Sequence, residues 1–361
     1  MRLGTCIALE LAVAAGATFG VWTGVGQLRD HAGAYLTTRE AVAATEVRGL
    51  APEAMPRSTL PAATPLPPNN IYGAHDDALL APLGIARVTK TKLNHGGTSL
   101  SLRVDFANGA RAAFKPEQIH PQSDPRREIA AFRIDRLLEI GHVPPAKETE
   151  LPLKDLLDTS EPGYRAWYVQ RLTEEATIRP NGMVRGELSW WIPEIKLARL
   201  SGLRIDERDG RELWTALLQV GVKTPVELRP MLAQISTCIL FDVLIDNADR
   251  WSGSNTEMSP DGKLLFFMDN TLSFSWARYG HEMNSGAMRR ISVFSRGLVA
   301  KLRALTHEQL VDVLAQPADT KLGPLLNPVE VEAILYRRDN MLRYIDQLVK
   351  RFGEDAVLAF P

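Results

Sequence analysis

Cysteine is nearly absent from this chain of 361 residues, which holds only Cys6 and Cys238. A disulfide framework is therefore excluded. Charge of one sign is absent too: Lys and Arg total 42, Asp and Glu total 43, and the net charge is −1. A nucleic-acid binder ordinarily carries a basic excess, so nucleic acid is not an expected partner. The seven histidines are scattered, and no His-Glu-x-x-His pair occurs, which argues against a metal hydrolase. No internal repeat is present. What remains, 45% hydrophobic and 24% charged residues, is ordinary for a globular protein. It rules out a disordered chain, a collagen and a multi-span membrane protein.

Long apolar runs are also scarce. The one candidate, Leu3 to Gly26, is rich in Gly, Ala and Thr and is interrupted by Glu10. Its length suits a single bilayer span. We read residues 1–28 as a membrane anchor, with a cleaved export signal and an ordinary buried helix as the alternatives. Pro52, Pro56, Pro61, Pro65, Pro67 and Pro68 follow among many alanines. Proline fixes φ and lacks an N–H, so residues 29–71 read as an extended linker. The globular unit then spans residues 72–361.

Within that unit, Leu100, Leu102, Val104 and Phe106 alternate with polar residues, the period of a strand with one buried face. Asn108-Gly109 signals a two-residue hairpin loop, with a return strand from Ala110 to Lys115. That loop pairs Leu102 with Lys115 and puts Lys115 and Ala113 on the face of Leu102 and Val104. A lysine beside aliphatic groups suggests an anionic ligand: a flat base on Ala113 and Val104, with phosphates at Lys115. A snorkelling edge lysine is the plain alternative. Upstream, Gly96-Gly97 is either a phosphate-approach loop or a simple turn.

Asp124-Pro125 opens a helix expected to reach about Ile140, with Glu128 on its first turn. Glu128 either compensates the helix dipole or holds the Lys115 ammonium. Thr224-Pro225-Val226-Glu227 reads as a capping box opening an apolar helix that ends near Asp246. A polar loop carrying Asp249 and Asn255 follows. Leu264 to Met268 then reads as a strand buried on both faces, delivering Asp269-Asn270 at its end. A carboxylate there can hold a cation at the floor of a cleft, and a second one on the preceding loop can orient a hydroxyl. Magnesium or manganese suits one or two carboxylates plus phosphate oxygens, with Asn255 as a further candidate ligand. Trp190-Trp191 reads either as a sugar-stacking pair or as packing. Thr306-x-x-Gln309 and Asn327-Pro328-x-Glu330 mark two structural helices near the C-terminus.

Several segments carry a family resemblance. Gly96-Gly97-Thr98, Phe114-Lys115-Pro116, Glu128 to Phe132 with Asp135-Arg136, and Val143-Pro144-Pro145 resemble the N-lobe of the atypical secretory-pathway kinases. Those are the Golgi casein kinase, its xylose-kinase relative and the four-jointed kinase. Ile239 to Leu244, Asp249-Arg250 and Phe267 to Asn270 resemble their catalytic and metal-binding segments, and Ser292-Val293-Phe294 looks closest to four-jointed. Gly186 to Pro193 resembles their segment after the hinge. The resemblance implies an α+β fold of two kinase-like lobes, about 72–172 and 173–361. It implies that Lys115 binds the phosphates of ATP, Glu128 pairs with Lys115, Asp249 orients the acceptor hydroxyl and Asp269 binds Mg²⁺ or Mn²⁺. The implied reaction moves the γ-phosphate to a hydroxyl on a protein or a glycan. A pseudokinase and a lipid or small-molecule kinase are the alternatives. With one cysteine in the globular unit, the implied setting is a bacterial envelope, membrane-anchored or exported. Oligomeric state is not legible.

Overall fold

The computed structural model describes residues 66–94, 98–252, 255–315 and 321–361. The expected anchor, nearly all of the linker, and Gly96 and Gly97 lie outside them. Among the described residues no helix is long and apolar enough to cross a membrane.

A short helix α1 (Asp76–Leu80) leads into β1 (Val88–Leu93), β2 (Leu102–Phe106) and β3 (Arg111–Pro116). Helix α2 (Pro125–Leu137) and β4 (Ala146–Pro152) follow, then α3 (Leu153–Asp158), α4 (Arg165–Glu175) and β5 (Met183–Trp190). The five strands form one antiparallel sheet in the order β1-β2-β3-β5-β4. Since β5 belongs to this sheet, the first lobe extends to Trp190, beyond the boundary expected near residue 172. One sheet face packs Leu102, Val104, Ala112, Phe114, Val184 and Leu188 against Leu156, Tyr168 and Leu172 of α3 and α4. The strands β3 and β5 approach so closely that a Cβ on Gly186 would lie 2.3 Å from the Lys115 carbonyl oxygen. Only glycine fits there.

The hairpin register differs from the expectation by one residue. Leu102 pairs with Phe114 and Val104 with Ala112. The loop has three residues, Ala107 to Gly109, with Phe106 N–H bonded to Ala110 O at 2.8 Å and Gly109 at φ +82°. Glycine takes that left-handed position readily, which favours the three-residue bulged loop over the two-residue turn. A slip of one residue exchanges the faces of a strand. Lys115 and Ala113 therefore lie opposite Val104, which is fully buried in the sheet core. The placement of Val104 beside a bound base is thus corrected, and the argument from a lysine among aliphatic groups falls with it.

The second lobe begins with the short strands β6 (Lys196–Leu197), β7 (Arg199–Leu200) and β8 (Leu203–Arg204), then α5 (Arg208–Leu217). Helix α6 (Arg229–Ile245) is apolar on all sides and sits in the core, as such helices must. It starts after Leu228, four residues later than the capping-box reading, because Thr224 Oγ1 donates to Leu217 O rather than capping the helix. Strands β9 (Glu257–Met258) and β10 (Leu265–Phe266) pair with each other, and β9 pairs with β6. The strand expected over Leu264 to Met268 is thus two residues long. Helices α7 (Glu282–Arg289), α8 (Arg296–Ala304), α9 (His307–Leu314), α10 (Pro328–Phe352) and α11 (Glu354–Val357) complete the lobe. Both expected C-terminal capping boxes form, at Thr306 with Gln309 and at Asn327 with Glu330.

Helix α2 joins the two lobes. Asp124 caps it and Pro125 occupies its first turn, as the sequence suggests. It packs on β4 and β5 but buries Ile129, Ala130, Phe132 and Ile134 in the core of the helical lobe. Near its C-terminal end, Asp135 accepts the backbone N–H groups of Gly141, His142 and Val143. His142 in turn bonds Leu265 O through Nδ1 at 2.6 Å and accepts Phe267 N–H through its carbonyl. The segment that delivers Asp269 is thereby tied to α2. Trp190 packs on the ring of Tyr72 at 5.4 Å, which gives it a packing role.

Candidate active site

Three elements distant in sequence converge on one ammonium. Lys115 projects from the face of β3 opposite the sheet core and donates to Glu128 Oε1 at 2.6 Å and to Asp269 Oδ1 at 2.7 Å. Glu128 stands on the first turn of α2, and Asp269 follows β10 in a left-handed conformation at φ +57°. Aspartate tolerates that conformation better than most residues. The lysine and the glutamate are shielded, whereas the Asp269 side chain is 46% exposed and faces solvent.

The electrostatics follow from that crowding. Burial alone lowers the Lys115 pKa, but Asp269, Glu128 and Glu187 override it and hold it above the ordinary lysine value. The Lys115 ammonium, against the opposing effect of burial, holds Asp269 below the usual carboxylate range. The charged forms of both are favoured.

Asn270 organises this centre. Its N–H donates to Glu128 Oε1 at 2.8 Å and its amide to Glu128 Oε2 at 3.1 Å. Its Oδ1 accepts from Asn247 Nδ2 at 3.1 Å and Arg250 Nη2 at 2.6 Å. Asn247 also donates to Asp269 O, and Arg250 donates to Met268 O. Arg250 is itself neutralised by Asp242 on α6, both side chains being 1% exposed. The loop that carries Asp249 is thus bolted to the segment that carries Asp269 through its two flanking residues, Asn247 and Arg250.

Asp249 accepts from Ser252 Oγ on one oxygen and from Asn255 Nδ2 on the other at 2.7 Å. Asn255, expected among the metal ligands, donates from its amide nitrogen to the Asp249 carboxylate and also to the Asp249 carbonyl at 3.0 Å. Ala113 shares the strand face of Lys115, two positions away. Three groups escape sequence reading: Asn247, the structural part of Arg250 with Asp242, and Glu187. Glu187 is the one charge in the buried centre of β5, a signal that could have singled it out.

The donors that surround the Lys115 ammonium are carboxylate oxygens, the chemistry that suits Mg²⁺ or Mn²⁺ when phosphate completes the shell. Among the described residues no three His, Cys, Asp or Glu side chains form a metal cage by themselves. The arrangement fits a cation that arrives with a phosphate ligand.

No family model matches the chain. Curated relatives do. The extracellular serine/threonine protein kinase FAM20C of Homo sapiens is 23% identical, covering 80% of this chain and 57% of that protein. The pseudokinase FAM20A of Homo sapiens is 25% identical, over 80% of this chain and 60% of its own length. The chain thus spans under two-thirds of the length of these two. The glycosaminoglycan xylosylkinase of Homo sapiens is 21% identical over 78% of this chain and 77% of its own. Among solved structures, the Golgi casein kinase with Mn/ADP bound superposes with a TM-score of 0.59 at 17% identity, covering 78% of each chain. The hydra Fam20 with sugar gives 0.60 at 19%, over 77% of this chain and 90% of that one. These likenesses show a kinase-like α+β fold. Across 80% of its length the chain is similar, by distant homology, to the FAM20 family of secretory-pathway kinases.

Proposed function

We propose that this protein is an ATP-dependent phosphotransferase that moves the γ-phosphate to a hydroxyl of a protein or a glycan. The observation that carries the reading is the convergence of Lys115, Glu128 and Asp269, from β3, α2 and the end of β10, on one charged site that is open to solvent at Asp269. Phosphoryl transfer asks little covalent chemistry of a protein; positioning and neutralised charge do most of it.

In this reading Lys115 binds phosphate oxygens, and Glu128, itself fixed by Asn270, holds the ammonium in place. Ala113 lies on the same face and offers a small surface for the base. Asp269, with Glu128 close by, holds a divalent cation, which supplies charge neutralisation of the phosphates when bound. Asp249 accepts the proton of the acceptor hydroxyl and aims its oxygen. Ser252 and Asn255 fix the Asp249 carboxylate. Relatives named extracellular or Golgi support an extracytoplasmic setting, and Cys238, the cysteine in the described residues, is buried and free.

The test is transfer from radiolabelled ATP, with Mg²⁺ or Mn²⁺, to cell-envelope extract, purified peptides and glycans. Transfer that is lost in Asp249→Ala and Asp269→Ala, with folding retained, supports the reading. Nucleotide binding without transfer to any acceptor favours a pseudokinase, the kind of protein one relative is named as.

A further inference from the structure

Lys115 has more acid around it than it uses. Glu187 on β5 is its register partner across the β3–β5 pairing, so the two side chains leave the sheet on the same face. Glu187 is fully buried. Ser189, two positions on, donates Oγ to Glu187 Oε2 at 2.8 Å. The other oxygen, Oε1, is buried and has no hydrogen-bond partner. Glu148, the partner of Glu187 on β4, is engaged elsewhere, accepting the Leu322 N–H at 3.1 Å. Buried acceptors are nearly always satisfied, so an orphan carboxylate oxygen beside an ammonium calls for an explanation. Burial, reinforced by Glu128, pushes the Glu187 pKa well above the usual range, and Lys115 pulls the other way.

The partners of Lys115 are not equivalent. Glu128 is held by both nitrogens of Asn270 and stays where it is. Asp269 is the exposed one, and a cation arriving from solution meets it first. A divalent cation on Asp269 repels the neighbouring ammonium. The ammonium then needs another acceptor, or it leaves the cleft.

We propose that Glu187 is a positioning residue that receives Lys115: when Asp269 takes a divalent cation with nucleotide, the ammonium turns from Asp269 to Glu187 Oε1. Glu128 anchors it throughout, and its remaining N–H is free for phosphate. Ser189 holds the receiving carboxylate in orientation. The inference rests on the nucleotide-binding reading above.

The experiment titrates the full chain with ADP alone and with ADP plus Mn²⁺, comparing wild type, Glu187→Gln and Ser189→Ala by calorimetry. Glu187→Gln is expected to weaken ADP binding with Mn²⁺ about tenfold while metal-free binding stays within about twofold, since Asp269 still holds Lys115 there. Ser189→Ala, which leaves the carboxylate in place, is expected to show the same pattern at about threefold and covers the case in which Glu187→Gln does not fold. Equal losses with and without Mn²⁺ indicate a merely structural residue and overturn the proposal. Unchanged binding in both variants overturns it as well. A wild-type chain that binds no ADP under either condition overturns the phosphotransferase reading, and this inference with it.

Discussion

Lys115 and Asp269 stand 154 positions apart in sequence and share a hydrogen bond of 2.7 Å. That contact ties the sheet lobe to the helical lobe at the candidate reaction centre. It also means that each charge is neutralised by the other before any ligand arrives. Lys115→Met is expected to lower kcat/KM for ATP by about 10²–10³-fold, the loss seen when a preorganised charge stabiliser is removed. Asp269→Asn should abolish the response to Mg²⁺ or Mn²⁺ while leaving the fold intact. Steady-state transfer assays with circular dichroism check both. A Lys115→Met protein with unchanged kcat/KM removes Lys115 from the site.

The two faces of the β2–β3 hairpin make separate predictions. Val104 is fully buried among Leu102, Phe114 and Leu188 in the sheet core, away from Lys115. Val104→Ala should cost about 2 kcal/mol of stability without changing nucleotide affinity in the folded protein. Ala113→Leu should do the reverse, since it adds bulk on the ligand side. Denaturant unfolding and ADP titration separate the two. Weakened nucleotide binding in Val104→Ala at unchanged stability would restore the register first expected.

That hairpin shows where sequence reading stops. Alternation of apolar residues identifies both strands, and Asn108-Gly109 identifies the turn, but the loop length decides the face, and composition does not reveal whether the loop has two residues or three. Capping signals are local and were legible: Asp124-Pro125, Thr306 with Gln309, and Asn327 with Glu330 all open helices where expected. The similar signal at Thr224 fails because the tertiary contact of its hydroxyl with Leu217 O wins over the cap. Lys115, Glu128 and Asp269 are charges at element ends or within apolar stretches, each with a plain alternative by itself, so that only their order along the chain marks them as a set. Glu187, the one charge in the buried centre of β5, could be noticed too, but its meaning depends on which residue of β3 lies beside it, a long-range register that no local pattern encodes. Asn270 was legible as a neighbour of Asp269, whereas its grip on Glu128 spans 142 positions and shows only in three dimensions.

The Arg250–Asp242 pair is a stability element beneath the site. Both side chains are 1% exposed, and Arg250 also reaches Asn270 Oδ1 at 2.6 Å. Removing one partner of a buried pair leaves the other charge uncompensated. Arg250→Met is expected to destabilise the protein by about 3–5 kcal/mol. The double variant Arg250→Met, Asp242→Leu should recover part of that stability but not the transfer activity, because Asn270 loses its anchor. Thermal unfolding followed alongside activity tests both halves. Full activity in the double variant would separate the pair from the site.

His142 gives the stability a pH dependence with a definite sign. Burial, helped by the nearby Arg136 charge and opposed by the bond to Leu265 O, lowers its pKa to about 4. In the unfolded chain the same imidazole titrates near 6.5. Between those values the unfolded chain binds a proton that the folded protein does not. The contribution of His142 is therefore fully present above pH 6.5 and is lost as the pH falls toward 4. Relative to His142→Gln, wild type should lose about 3 kcal/mol over that interval. Urea unfolding of both proteins at a series of pH values between 7 and 4.5 measures the difference. A constant gap between the two curves would mean that His142 binds protons equally in the folded and unfolded states.

Asn255 distinguishes a ligand of the cation from a support for the base. Its amide donates to Asp249 Oδ2 at 2.7 Å, and Ser252 Oγ bonds the other carboxylate oxygen. An aspartate held on both oxygens keeps its orientation toward an acceptor hydroxyl. Asp249→Asn should then reduce transfer by about 10²–10⁴-fold, the usual contribution of a positioned general base, with ADP affinity nearly unchanged. Asn255→Ala removes one of the two supports and should lower kcat by about tenfold, with the Mn²⁺ concentration for half-maximal rate unmoved. A residue that coordinates the cation behaves differently: its loss raises the Mn²⁺ requirement first and kcat only as a consequence. Measuring rate against Mn²⁺ for wild type and Asn255→Ala at saturating ATP decides the matter, and a several-fold rise in the half-maximal concentration would return Asn255 to the metal.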